Sequence, residues 1–251
     1  MYEYIELCRT CCLEHNQGRC SVHKYHKSLS HGLVDFQSFF LDFEATAKIG
    51  DRGITDNCVH NLHTNQTLKF EKYIQPRVEI TTGAIKVTGL DANAVKFGTP
   101  EKLAVQEICN FLSPKSIIVA HNAAFDRVTF LQAYQHWRAQ DNSFGFKDFT
   151  QLIFLDSLNI FKQRLKAKNI TTENNKLGTI YNALFQKPIQ NQHTATADVM
   201  AMLEISGALL STEKPLHQHM KSFLENIPDL KGSYLAFKDG ELLSDKEMAG
   251  F

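Results

Sequence analysis

The chain has 251 residues, 43% of them hydrophobic and 22% charged, with a formal net charge of zero. Those proportions exclude a disordered polyelectrolyte, a collagen and a coiled coil, and they leave enough apolar residues for a full core without staples. Neutrality removes the strong basic field of a general nucleic-acid binder, so contact with such a polymer has to be local.

One local candidate is the run Lys162, Arg164, Lys166, Lys168 and Lys176, fifteen residues opposed only by Glu173. It reads equally as a solvated helix end or as a phosphate-contacting rim. The opening MYEYIELCRT has no basic and apolar signal pattern, and no apolar run reaches membrane-spanning length. The expectation is a cytoplasmic protein that does not engage a membrane.

Residues 1–33 hold four Cys and four His with little apolar periodicity. Within them Cys8-x2-Cys11-x8-Cys20-x2-His23 has the paired spacing of a structural zinc site, each pair biting one ion from a tight turn. Cys12, His15 and His26 are spare ligands, and a flexible tail with incidental thiols is the competing reading. Residues 1–33 are therefore expected to form a small Cys/His-rich extension. Residues 34–212 would form the main domain, and 213–251 a C-terminal tail packed on it.

After Gly32 the texture is α/β. FQSFFLDFEAT is short, aromatic-rich and apolar, as a buried strand is. Residues 48–66 contain a weaker strand and a turn. LKFEKYIQP alternates and stops at Pro76, which reads as one strand. PEKLAVQEICNFL spaces Leu103, Ile108, Phe111 and Leu112 as a helix behind Pro100. KSIIVAHN is a strand, AFDRVTFLQAYQHW a helix, TQLIFLDSL a strand and KLGTIYNALF a helix. TATADVMAMLEISGALL reads as the best amphipathic helix. A last helix and a hairpin at Asp239-Gly240 follow. Strands alternating with helices make an α/β fold.

Three short segments carry acids in places where a structural role is thin. Asp42 and Glu44 close the apolar strand, and alternate strand residues share a face, so both carboxylates project together. Such a pair repels unless a hard cation sits between, for which Mg²⁺ or Mn²⁺ is suited. Two other Asp-x-Glu triplets, at Asp239/Glu241 and Asp245/Glu247, lie in polar surroundings. Asp126 follows the strand SIIVA in His121-Asn122-Ala-Ala-Phe125-Asp126, at the strand-to-helix corner where α/β sites favour residues. Asp198 closes His193-Thr-Ala-Thr-Ala-Asp198 and enters the last strong helix. Alone, the Asp42/Glu44 triplet is a feeble signal, Asp126 fits an acid complementing a helix dipole, and the third segment fits residues capping a helix, with Thr194 or Thr196 as N-cap.

Together LDFEAT, HNAAFD and HTATAD resemble, in order, the three motifs of the DnaQ-like DEDD exonuclease superfamily, over roughly residues 36–210. YIQP, VTGL and LDSLNIF are similar to intervening family features. The histidine five residues before the last aspartate is similar to the DEDDh branch, whose sister branch has a tyrosine where this chain has Thr194. Ala47 stands where the family has glycine, and ITDNCVHNL is unlike its usual apolar second strand.

The resemblance implies an RNase H-like mixed β-sheet flanked by helices and a 3′→5′ exonuclease that hydrolyses terminal phosphodiesters of single-stranded DNA or RNA. It implies two Mg²⁺ or Mn²⁺ ions, ~3.5–4 Å apart in such sites, held by Asp42, Glu44, Asp126 and Asp198. His193 would be the general base, with Thr46, Asn122 and Phe125 binding the 3′ terminus. The partner is a nucleic-acid 3′ end. A proofreading subunit beside a polymerase and a non-catalytic nucleic-acid-binding module are the alternatives.

Overall fold

The computed structural model describes residues 35–141, 146–225, 233–238 and 240–243. The zinc-site candidates Cys8, Cys11, Cys20 and His23 lie outside the described residues. Nine strands and eight helices are defined among those described. The strands are β1 (Gln37–Ala45), β2 (Ile54–Asn61), β3 (Thr67–Lys69), β4 (Ile74–Gln75), β5 (Thr99–Pro100), β6 (Lys115–Ala120), β7 (Gln151–Asp156), β8 (Ser233–Lys238) and β9 (Glu241–Leu242). The helices are α1 (Thr82–Thr88), α2 (Ala92–Val95), α3 (Glu101–Phe111), α4 (Ala123–Gln140), α5 (Ser157–Ala167), α6 (Leu177–Phe185), α7 (Ala195–Leu209) and α8 (Leu216–Glu225).

Seven strands form one mixed sheet in the order β3-β2-β1-β6-β7-β8-β9. β1, β6 and β7 run parallel, whereas β2 and β8 pair antiparallel at either side of that trio. The period-two pattern of β1 divides the core. Phe39, Leu41 and Phe43 bury with Val105, Ile108 and Phe130 of α3 and α4 on one face. Phe40 faces the other way, with Phe161, Val199 and Met202 from α5 and α7. Asp42 and Glu44 continue the Phe40 face past the end of its apolar cover.

Several local expectations change. LKFEKYIQP is not one strand: β3 pairs with β2, the chain leaves the sheet, and β4 pairs in parallel with β5. The β4–β5 approach is tight enough that a Cβ on Gly98 would lie 2.1 Å from the Tyr73 carbonyl oxygen. Leu103 is exposed, because α3 buries Glu101, Ala104, Val105, Ile108 and Cys109 instead. The strand read into LDSL stops at Asp156, whose side chain caps the unforeseen helix α5. Short α1 and α2 were also unforeseen; Thr81 and Asp91 cap their starts. α7 is buried over most of its girth, between the sheet and α5 and α6, so it is a core helix more than an amphipathic one.

A buried acid fixes the turn that follows β1. Glu101 is 1% exposed and accepts the Ile54 N–H at 2.6 Å, the Trp137 indole N–H at 3.0 Å and the Arg77 guanidinium at 3.0 Å. Arg77 also pairs with Asp51 inside the turn. The buried charge is thus fully paired, as it must be to be tolerated. Among the described residues no helix is long and apolar enough to cross a membrane.

Candidate active site

β6 stops before β1 does. The parallel register joins Gln37 to Ser116 and Phe40 to Val119, and the last residues of β1 extend past it. A backbone N–H left without its ladder partner needs another acceptor. At Phe43 that acceptor is the Asp126 carboxylate, 2.9 Å away and buried. A residue of α4 therefore docks between Asp42 and Glu44 through main chain, although 83 positions separate the two.

α7 approaches from the other side. Thr194 is its N-cap, accepting the Ala197 N–H, and His193 just before it takes a left-handed backbone, φ 68°. That turn leaves the imidazole exposed, close to the Asp198 carboxylate. Ligand atoms of Glu44, His193 and Asp198 lie within 4.8 Å of one another. Asp42, His193 and Asp198 share one cleft of about 430 Å³ with His121, Asn122 and Lys176. All five residues singled out as catalytic thus sit about one end of β1, from elements far apart in sequence.

The electrostatics of the group are adverse without a cation. Burial, then the charges of Asp126, Asp198, Glu44 and Asp56, raise the Asp42 carboxyl well above its ordinary range. Burial, then Asp198, Asp56 and Asp126, push Glu44 up to about 9. Burial raises Asp198 to about 6 against the opposing charge and N–H of His193. Asp126 is also raised by burial, despite its bond from Phe43. Asp198 Oδ1 is buried without a hydrogen-bond partner. Crowded oxygen donors and an orphaned carboxylate oxygen are what a hard divalent ion would satisfy, so the residues fit the expected metal.

That frustration has a sign. A carboxyl whose pKa is higher folded than unfolded binds protons more tightly in the native state, so stability falls as pH rises through the interval between the two values. For Glu44 the interval runs from its ordinary 4.5 to about 9. Burial depresses His121 and His63 to about 4, which gives the opposite slope, but only below the ~6.5 of free histidine. With EDTA, melting temperature should therefore decline between about pH 7 and about 9. The scale is about 1.4 kcal/mol per pH unit for each extra proton bound, with about 2–4 °C per kcal/mol. Mg²⁺ should flatten the curve in a thermal melt; a flat curve with EDTA would contradict the crowding.

The weaker substrate contacts fare unevenly. Asn122 is exposed in the cleft with φ 67°. Phe125 is half-buried beneath the Arg52 guanidinium, 4.7 Å from its ring centre, and its carbonyl accepts from the same Arg52. Thr46 is fully buried, and its hydroxyl accepts the Gly53 N–H at 2.9 Å, bracing the β1–β2 turn.

Two acids escaped the sequence reading. Asp56 sits opposite Glu44 on β2 and accepts the Ala195 N–H, 139 positions on. Asp156 ends β7. Neither belongs to the three acid-bearing motifs, although Asp156 falls within LDSLNIF. The unusual second strand does form: ITDNCVHN is β2, with Asn57, His60 and Asn61 buried.

The RNase_T family model, described as exonuclease, matches residues 40–206. Among solved structures the chain is similar to exonuclease I, in a structure said to suggest how processivity is achieved. The TM-score is 0.58 at 19% identity, over 75% of this chain and 44% of that one. It is also similar to E. coli exonuclease I with single-stranded DNA in a zinc-bound form (0.56, 18% identity, 73% and 42%). The same enzyme with a dA16 oligonucleotide gives 0.55 at 16% identity, over 76% and 42%. The chain spans less than half of those proteins, and at such identities the likeness is one of fold. No curated protein matches the chain by sequence.

Proposed function

The chain belongs to the RNase_T exonuclease family, and on that footing we propose that it is a metal-dependent 3′→5′ exonuclease acting on single-stranded nucleic acid. The observation that carries this reading is the meeting of Glu44, His193 and Asp198 within 4.8 Å beside Asp42 and the Phe43-bound Asp126. A purely binding module gains nothing from burying acids that repel one another.

Asp42, Glu44 and Asp198 would hold one divalent ion directly. Asp126, held beside them by Phe43, would complete the set of acids that hold the metal. Mg²⁺ or Mn²⁺ bound there would supply Lewis-acid activation of water and neutralise charge on the phosphate. The protein's own contribution begins with His193. Exposed at the cleft's edge on a bent backbone, its imidazole takes the proton from the attacking water. The short approach of His193 to Asp198 keeps base and carboxylate together. Phe43 and Asp126 hold the strand and helix against each other, so the acids do not need to gather when substrate arrives. Asn122 and Phe125 would shape the pocket for the terminal nucleotide. Lys176, exposed at the same cleft, would meet backbone phosphate.

Matched DNA and RNA strands labelled at either end, digested with Mg²⁺ or Mn²⁺, test the reading. Shortening from the 3′ end, visible as a ladder on the 5′-labelled strand and stopped by EDTA, is expected. Absence of any metal-dependent cleavage, or release beginning at the 5′ end, would overturn it.

A further inference from the structure

Asp156 is 6% exposed and lies outside the five proposed catalytic residues. As the last residue of β7 it caps α5, accepting the Leu158 N–H at 3.0 Å. The same oxygen, Oδ1, accepts the Asn122 N–H at 2.9 Å, at the start of α4. α4 has no cap of its own: the Asn122 side chain makes no capping bond, and its backbone is left-handed. One carboxylate thus serves the first N–H groups of two helices, where unsatisfied donors and dipole favour an anion.

Those two helices frame the cleft. Asn122 and Leu158 line it, and so does His121, whose Nδ1 lies 3.1 Å from the Ser157 hydroxyl. A neutral His121 ring accepts there and gives its one N–H to the Asn175 carbonyl, 2.9 Å away, tying in the segment that carries Lys176. Four residues past Asn122, Asp126 receives the Phe43 N–H. A chain of direct bonds and one helical turn runs from Asp156 through Asn122 and Asp126 to the strand between Asp42 and Glu44.

We propose that Asp156 is a positioning residue for the exonuclease site: by accepting the Asn122 N–H from the end of β7 it sets the height of α4, and so of Asp126, against β1. The proposal rests on the functional reading above. It assigns Asp156 no contact with substrate or ion. What acts is the location of one oxygen, and its charge is incidental.

Two substitutions separate these properties. Asp156→Asn keeps an oxygen at Oδ1 and removes the charge, and asparagine caps helices as well as aspartate does. Asp156→Glu keeps the charge and displaces the oxygen by one methylene. The readouts are kcat and KM on a labelled oligonucleotide, and Mn²⁺ binding to the protein alone, followed by the EPR signal of free Mn²⁺. Placement predicts that the Glu variant loses about 10²-fold in kcat, the usual cost of a shift near 1 Å. KM should stay near wild type, and Mn²⁺ should bind about tenfold more weakly or worse. The Asn variant should stay close to wild type in both.

The reverse pattern, Glu retained and Asn impaired, would show that charge acts and would overturn the proposal. Both variants matching wild type in kcat and Mn²⁺ affinity, with only melting temperature lowered, would reduce Asp156 to a helix cap. A wild-type protein without nuclease activity would fail the functional reading instead, and the Mn²⁺ comparison would still decide whether Asp156 positions the acids.

Discussion

Asp42→Ala should abolish cleavage and leave the protein as stable as before, or more so. In the metal-free state this carboxyl is buried beside Asp126, Asp198 and Glu44, each of which raises its cost. Removing it takes away a repulsion, and a small side chain at a cleft wall leaves no closed cavity. In the reaction the same group would help to hold the metal, so its loss removes several kcal/mol of transition-state stabilisation. At tenfold per 1.36 kcal/mol, that is about 10³-fold or more in rate. Asp198→Ala should match it in activity. Single-turnover digestion beside a circular-dichroism melt measures both halves. A variant with near wild-type rates would remove Asp42 or Asp198 from the ion site. Lost activity together with unfolding would make the acid structural.

His193→Ala should lower kcat by about 10²–10⁴-fold, the range for a general base, with little change in melting temperature. The side chain is exposed and its helix is capped independently by Thr194. Alanine is less at ease than histidine at φ 68°, so a glycine variant is the control for backbone strain. If Ala and Gly lose activity equally, the imidazole is responsible. If Gly alone restores the rate, the turn matters and the ring does not.

How much of this was open to reading from sequence depended on the range of the physics. The strand FFLDFEA could be read because period-two alternation is local, and it puts Asp42 and Glu44 on one face without outside help. α4 and α7 likewise declare themselves by composition, and the three acid-bearing segments combine into a recognisable order. Asp156 could not be read in this way. Its partners are an N–H two residues ahead and another 34 residues behind, and nothing in QLIFLDSL marks where strand gives way to helix. Asp56 depends on pairing with β1 and on α7 arriving 139 residues later. The bracing of the turn by Thr46 is equally out of reach, because it depends on Gly53 returning seven residues later. Leu103 shows the same limit in the core: with helical spacing intact, the buried face of α3 is set by Glu101 and its partners, which rotate the leucine outward.

β1 runs on past the end of β6. The notch between them exists because the shorter strand gives out first, leaving Phe43 to be met by a side chain. Were β6 to run a few residues further, its own carbonyls would take up that N–H and zip the notch shut. Asp126 would be displaced with no change to any acid in the chain. Insertions at the β6–α4 junction should therefore silence the enzyme more surely than many substitutions within it, and strand length becomes a property on which selection can act as directly as on a side chain.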